Sequence, residues 1–368
     1  MKKVGCITFH ASHNYGSNLQ AYALQEVITK FIKCKYEIIN FRTKRQINEY
    51  DLYYRKKGFK NFIKKLLYFK YNKMLITKYN KHELFINNKL KLSKKVFTSL
   101  DSLKNNKFDY DCCISGSDQI WNIKPIDFDW AYYLEFISNC KKISYASSFG
   151  PIKQEWSNEN YLRIKNDLKQ YDSISVREQG SYDNVKKITN INPKINVDPT
   201  MLLSAEEWDK IVDKNKFQQG DYIFLYDLKN NKETYKLVNK ISKKLKLKVV
   251  VCKEGKYTIF SNYIKRFDAG PEDFLNLIKH AKLILSTSFH GNVFSIIYNK
   301  PFFAINGNKD FRINTLLNKM KLDNRSINDK DYIEKLKIAF NIDFCEANIQ
   351  LKKEKEKSIK YLMNSINN

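Results

Sequence analysis

No stretch of about 18 or more uninterrupted apolar residues occurs in this 368-residue chain, so no membrane-spanning helix is expected. The N-terminus, Met1 to His10, has too short an apolar run for a signal peptide and reads as a first strand. A cytoplasmic protein is the expectation, with the inner face of the plasma membrane as the one membrane it would meet. Cysteine is sparse in pattern rather than in number. The seven are scattered and no pair has C-x-x-C spacing, which argues against a structural zinc site. A disulfide framework is not expected at this size and location. The phosphate-binding loops G-x-x-x-x-G-K-[ST] and G-x-G-x-x-G are both missing, so P-loop and dinucleotide readings have no support. Neither H-E-x-x-H nor a nucleophile elbow occurs. No metal and no other cofactor is expected.

What is abundant is positive charge. Lysine and arginine total 66 against 39 acids, a net charge of +27. Such an excess suits an anionic partner: nucleic acid, anionic lipid or a phosphorylated substrate. It is equally what a composition rich in Lys, Asn, Ile and Tyr produces by itself. No RNP-type strand, zinc finger or helix-turn-helix signature accompanies the charge, so nucleic acid is not the expected partner.

The chain length suggests two domains. Lys3–Phe9, a polar loop and a helix-spaced stretch over 17–32 lead to a strand at Glu37–Phe41, which makes a βαβ start of a parallel sheet. Further strands are expected at Tyr110–Ser115, Ile143–Ser148, Ser173–Val176 and Ile195–Val197. A boundary falls near 201–220, with Glu206–Asn215 helix-prone and Gln218–Asp221 a turn. Tyr222–Tyr226, Lys248–Cys252, Leu283–Thr287 and Phe302–Ile305 then read as strands of a second sheet, with helices at Lys232–Leu245, after Gly270-Pro271, and at Gly291–Tyr298. The expected architecture is α/β: two Rossmann-like domains facing a cleft, spanning 1–205 and 206–330, followed by a helical tail at 331–368. An insertion at about 52–95 interrupts the first. There Phe59, Phe62, Ile63, Leu66 and Leu67 form one helical stripe flanked by Lys57, Lys60, Lys64 and Lys65. Such a helix can lie on an anionic membrane surface. It can also pack on its domain with a solvated lysine face, and this second reading is the expected one.

Four stretches carry residues suited to chemistry. In "HASHNYGSNLQAYALQ", Asn14, Tyr15, Gly16, Ser17 and Asn18 stand where a strand hands over to a helix, whose backbone N–H groups favour an anion. A capped turn would read the same way. In "SGSDQIWN", Gly116, Ser117, Asp118, Gln119 and Trp121 follow a strand. Asp118 suits a base toward a sugar hydroxyl and Trp121 a platform for a sugar face, or else a helix cap and a core residue. In "SVREQGS", Arg177 suits a carboxylate or phosphate clamp, or an ion pair with Glu178 or Asp198. In "STSFHGNVFS", Thr287 and Ser288 supply hydroxyls, and His290 precedes Gly291 and Asn292 at a helix start. A bound phosphate there would keep the imidazole protonated as a general acid.

These pieces, in this order, resemble the polysaccharide pyruvyl transferase family. "TFHASHNYGSNLQAYALQ" is similar to its N-terminal signature. "ISGSDQIWN", "YASSFG", "SVRE", "VDPTMLL" and "LSTSFHGNVFSIIYNKPF" are similar to its later blocks. The resemblance covers about residues 3–310. It implies a fold like that of the GT-B glycosyltransferases and transfer of pyruvate from phosphoenolpyruvate to a sugar, as a ketal, in making exopolysaccharide, capsule or cell-wall polymers. It also implies a sugar or lipid-linked oligosaccharide acceptor, with Arg177 and His290 at positions the family uses for donor binding and catalysis. Where many members carry an arginine two residues before the histidine, this chain has Ser288. That departure leaves a GT-B-type transferase with a nucleotide-sugar donor as the alternative.

Overall fold

A computed structural model describes residues 1–52, 55–151, 154–212 and 221–368. Residues 218–220 of the turn expected at Gln218–Asp221 and the end of the helix expected at Glu206–Asn215 lie outside the described residues, as does the side chain of Lys60. The strands, in chain order, are β1 (Lys3–Ile7), β2 (Lys35–Phe41), β3 (Leu92–Phe97), β4 (Cys112–Ser115), β5 (Lys141–Ser144), β6 (Ser175–Val176), β7 (Lys194–Ile195), β8 (Tyr222–Tyr226), β9 (Lys248–Val251), β10 (Ile264–Lys265), β11 (Leu283–Ser286), β12 (Phe302–Ile305) and β13 (Ser326–Ile327). Sheet strands form where short apolar runs end in small polar residues. β4 (CCIS), β11 (LILS) and β12 (FFAI) are buried along their whole length, as parallel strands covered on both faces must be.

Two compact units result. The first comprises Met1–Tyr50, Leu84–Leu203 and Lys352–Asn368. Its sheet runs β3-β2-β1-β4-β5, all parallel. The short β6 and β7 pair beside it, and single bridges tie Ile143 to Ser173 and Ser147 to Val176. The second unit comprises Asp51–Glu83 and Ser204–Leu351. Its sheet runs β10-β9-β8-β11-β12-β13, again parallel throughout. In each unit the chain order reverses direction beside β1 or β8, the switch point at whose carboxyl edge open α/β sheets bind ligands.

This division differs from a linear split in two places, each with a packing reason. Tyr68, Tyr71, Met74 and Leu75 pack on the core of the second sheet, with Leu225, Val251 and Phe267 among it. The end of the Cys345–Asn367 helix packs in the first unit. Leu362 and Ile366 are buried, Tyr361 donates to the Ser144 carbonyl at 3.0 Å, and Lys2 Nζ donates to the Ile366 carbonyl at 2.8 Å.

The basic insertion does not pack as expected. A helix covers Phe59–Tyr68, but its apolar stripe is turned to solvent: Phe59 is 78% and Leu66 65% exposed. The partly covered positions are Asn61, Lys65 and Tyr68 on another face. Tyr68 supplies the anchor to the core, so the helix is held by the side that its sequence pattern marks as polar.

Candidate active site

In the first unit the carboxyl edge of β1 and β4 is built from hydroxyls and acids. Asn14 is the N-cap of the Tyr15–Glu26 helix, and its side-chain oxygen accepts from the N–H groups of Gly16 at 3.0 Å and Ser17 at 3.4 Å. The cap reading of this turn is therefore the correct one for Asn14, and those two N–H groups are not offered to an anion. Asn18 is buried and ties the preceding loop, donating to the carbonyls of His10 and Ser12. Tyr15 is buried beside it. Ser17 turns its hydroxyl to Asp118 Oδ2 at 2.6 Å.

Gly116 lies against β1. A methyl group there would come within 2.9 Å of Thr8 Cβ, so the close approach of the two strand ends needs glycine. The chain then bends sharply. Asp118 has φ +75°, a conformation that aspartate tolerates better than most residues. Its Oδ1 accepts the Gln119 N–H at 2.8 Å, and Gln119 Oε1 accepts from Asn122 at 3.3 Å. Ser117 donates to Asp198 Oδ2 at 3.1 Å.

Arg177 lies at the centre of this edge and is only 4% exposed. Its Nη1 donates to Asp198 Oδ2 at 2.7 Å, its Nη2 is 3.6 Å from Asp118 Oδ1, and its Nε is 3.5 Å from Glu178 Oε2. Burial alone would pull the guanidinium pKa down, but Asp198, Asp118 and Glu178 together more than offset it and hold it above its ordinary value. Each acid is itself held. Thr200 donates to Asp198 Oδ1 through both N–H and hydroxyl, and the hydroxyls of Ser148 and Ser181 donate to Glu178. This corrects the anion-clamp reading of Arg177. With its side chain 1% exposed, one hydrogen bond to Asp198 and longer ion-pair contacts to Asp118 and Glu178, the guanidinium is turned toward the acids of its own unit, and the ion-pair reading prevails.

Trp121 is also corrected. It is fully buried, stacks on Tyr133 with ring centroids 5.7 Å apart, packs against Phe149 and Tyr171, and donates to Ser115 Oγ at 3.0 Å. No face remains for a sugar, so it is a core residue of the first unit.

In the second unit the corresponding edge is that of β8 and β11. The helix that follows β11 runs Phe289–Ile297, two residues earlier than expected, which puts His290 inside its first turn. Ser288 is the N-cap but makes no side-chain cap hydrogen bond, and its carbonyl accepts from Asn292 Nδ2 at 2.9 Å. Thr287 donates to Asp227 Oδ1 at 2.7 Å and accepts the Leu228 N–H at 3.0 Å. Ser286 bridges the Tyr226 and Ser288 carbonyls. His290 is buried to 6% exposure, with its ring edge-on to Phe289. The strand end, the uncapped helix start and the imidazole thus meet within five residues. Among the described residues no group of three or more His, Cys, Asp and Glu is arranged to hold a metal ion.

The model of the family described as polysaccharide pyruvyl transferase matches residues 14–309, which takes in both edges. The chain belongs to the polysaccharide pyruvyl transferase family. It is therefore a transferase. No curated protein matches the chain. Solved structures share its fold. The UDP-GlcNAc 2-epimerase of Neisseria meningitidis, bound to UDP-GlcNAc, is 10% identical with a TM-score of 0.56, covering 99% of each chain. The S. aureus protein MnaA, solved with UDP, is 12% identical with a TM-score of 0.55, covering 99% of this chain and 97% of that one. The UDP-GlcNAc 2-epimerase of Methanocaldococcus jannaschii is 13% identical with a TM-score of 0.52, covering 99% of this chain and all of that one. At such identities the likeness is one of fold alone, the GT-B-like type with two Rossmann-like sheets.

In this pyruvyl transferase family member, Asp227 went unnoticed in the sequence. Its signal was available: an acid directly after the fully apolar strand β8, at the same edge as Thr287. The family block around His290 also depends on Gly291. A methyl group there would sit 2.3 Å from Ser286 Oγ and 3.2 Å from Tyr226 Cδ1. Gly291→Ala gains about 1 kcal/mol of helix propensity but incurs an overpacking cost of about 1–3 kcal/mol, because the Ser286 hydroxyl is fixed by two carbonyls. A net loss of stability is expected in urea unfolding, together with reduced activity from displacement of His290.

Proposed function

We propose that this protein transfers pyruvate from phosphoenolpyruvate to a pair of hydroxyls on a sugar or lipid-linked oligosaccharide, forming a ketal for exopolysaccharide, capsule or cell-wall polymer. The family match over 14–309 carries this reading. The geometry around His290 supports it. An N-terminal helical turn without a side-chain cap, framed by Thr287, Ser288 and Asn292, suits the phosphate or carboxylate of such a donor. The seven cysteines are all free, and no described helix is long and apolar enough to cross a membrane.

Chemically the donor is an enol phosphate. A proton delivered to its methylene carbon makes a methyl group and leaves the neighbouring carbon electrophilic. One sugar hydroxyl adds to that carbon, phosphate departs, and the second hydroxyl closes the ring. Of the two hydroxyl protons released, one replaces the proton given to carbon and the other leaves with phosphate. We assign the proton donor to His290, where general acid catalysis contributes about 10²–10⁴-fold. Asp118, within reach of Ser17 and Arg177, is the base we assign to an acceptor hydroxyl.

The test is thermal unfolding with phosphoenolpyruvate. At about 100 times its dissociation constant a ligand adds about 2.7 kcal/mol to the native state. A clear upward shift with phosphoenolpyruvate, and none with nucleotide sugars, is the expected result. The reverse pattern would overturn the donor assignment and favour a nucleotide-sugar transferase on the same fold.

A further inference from the structure

The Phe59–Tyr68 helix presents its apolar stripe outward. Phe59, Phe62, Ile63, Leu66, Leu67 and, just beyond the helix, Phe69 are all exposed, Phe69 at 80%. Single exposed apolar residues need no explanation, but six on one helical stretch do. The helix is also mounted the opposite way from a core-packing helix, because Asn61, Lys65 and Tyr68 face the protein. Along the segment of sequence that carries the stripe the charge is of one sign. From Leu52 to His82 there are nine lysines and one arginine, and no acid. Lys57, Lys64, Lys70 and Lys73 are exposed at the flanks. Lys265, on β10, is held below its ordinary range first by burial and then by Lys70.

We propose that this helix is a docking surface for an anionic lipid bilayer, lying in the interface with its apolar stripe among the acyl chains and its lysines at the headgroups. Both halves of the observation are needed. Nucleic acid would meet the lysines but leave the phenylalanines and leucines without cover. A second copy of the chain would cover the stripe only by bringing two wholly basic segments together. An anionic membrane satisfies both demands, since amphipathic helices bind through buried apolar area plus attraction to anionic headgroups. The inference goes beyond the transfer reaction and does not depend on the identity of its donor.

The test is sedimentation of the full-length protein with phosphatidylcholine vesicles, with and without about 30 mol % phosphatidylglycerol. Wild type is expected to bind the anionic vesicles and not the neutral ones, and to release as salt rises. Leu66→Glu is expected to weaken that binding at least tenfold, and Lys64→Glu to weaken it and flatten its salt dependence. Both side chains point to solvent, so unchanged thermal unfolding would show that the fold is intact. Three results would overturn the proposal: no binding of wild type to anionic vesicles at low salt, equal binding by Leu66→Glu, or a wild-type dimer in light scattering that Leu66→Glu dissociates. The last would make the stripe a self-association surface instead.

Discussion

Arg177→Met should lower the stability of the protein by about 3–5 kcal/mol, the range found when one partner of a buried ion pair is removed. The reason is the company Arg177 keeps. Its side chain is 1% exposed, and the acids around it, Asp198, Glu178 and Asp118, are 0%, 0% and 9% exposed. Without the guanidinium, three carboxylates that lie 2.7–3.6 Å from one cation would share a water-poor edge with none. The hydroxyls of Ser17, Ser117, Ser148, Ser181 and Thr200 soften but do not cancel that repulsion, since each is a dipole and not a charge. Two further outcomes separate this account from simple loss of packing. The deficit should shrink as pH falls, because protonating the acids relieves the repulsion, and Asp198→Asn should restore part of the stability of Arg177→Met. Urea unfolding at two pH values measures both. A loss below about 1 kcal/mol, typical of exposed pairs, would mean that the cluster is solvated and that Arg177 is available to a ligand after all.

His290→Gln should lower kcat by about 10²–10⁴-fold while leaving the fold in place. Glutamine keeps a polar side chain of similar reach at the first turn of the Phe289–Ile297 helix, but it cannot deliver a proton. A residue acting in proton transfer affects the chemical step, so phosphoenolpyruvate should still protect His290→Gln against heat as it protects wild type. If protection disappeared while kcat fell only in proportion, His290 would be a binding residue and not the acid. The same pair of measurements on Asp118→Asn tests the proposed base. Because Asp118 also balances Arg177, its stability must be measured alongside its turnover.

Much of the fold is legible because its signals are local. Apolar runs ending in serine, aspartate or threonine mark strand ends, and Tyr222–Tyr226, Lys232–Leu245 and Phe302–Ile305 have the bounds their patterns give. The ordered set of motifs, from the block at Asn14 to that at His290, is enough to place the chain in its family. Side-chain roles are less legible, because a residue type carries several roles and neighbours in space decide among them. Trp121 has the chemistry of a sugar platform, yet Tyr133, Phe149 and Tyr171 enclose it. Arg177 has the chemistry of an anion clamp, yet Asp198, 21 residues away along the chain, occupies it.

What the sequence alone determined is therefore the two parallel α/β sheets, the positions of their polar edges and the family to which they belong, since these follow from period, composition and motif order. Tertiary structure alone decided which polar groups are already satisfied by one another and which surface an amphipathic helix turns to solvent. Hydrophobic pattern states that a helix has an apolar face; only the contact of Tyr68 with the second core shows that this helix is anchored by its other side.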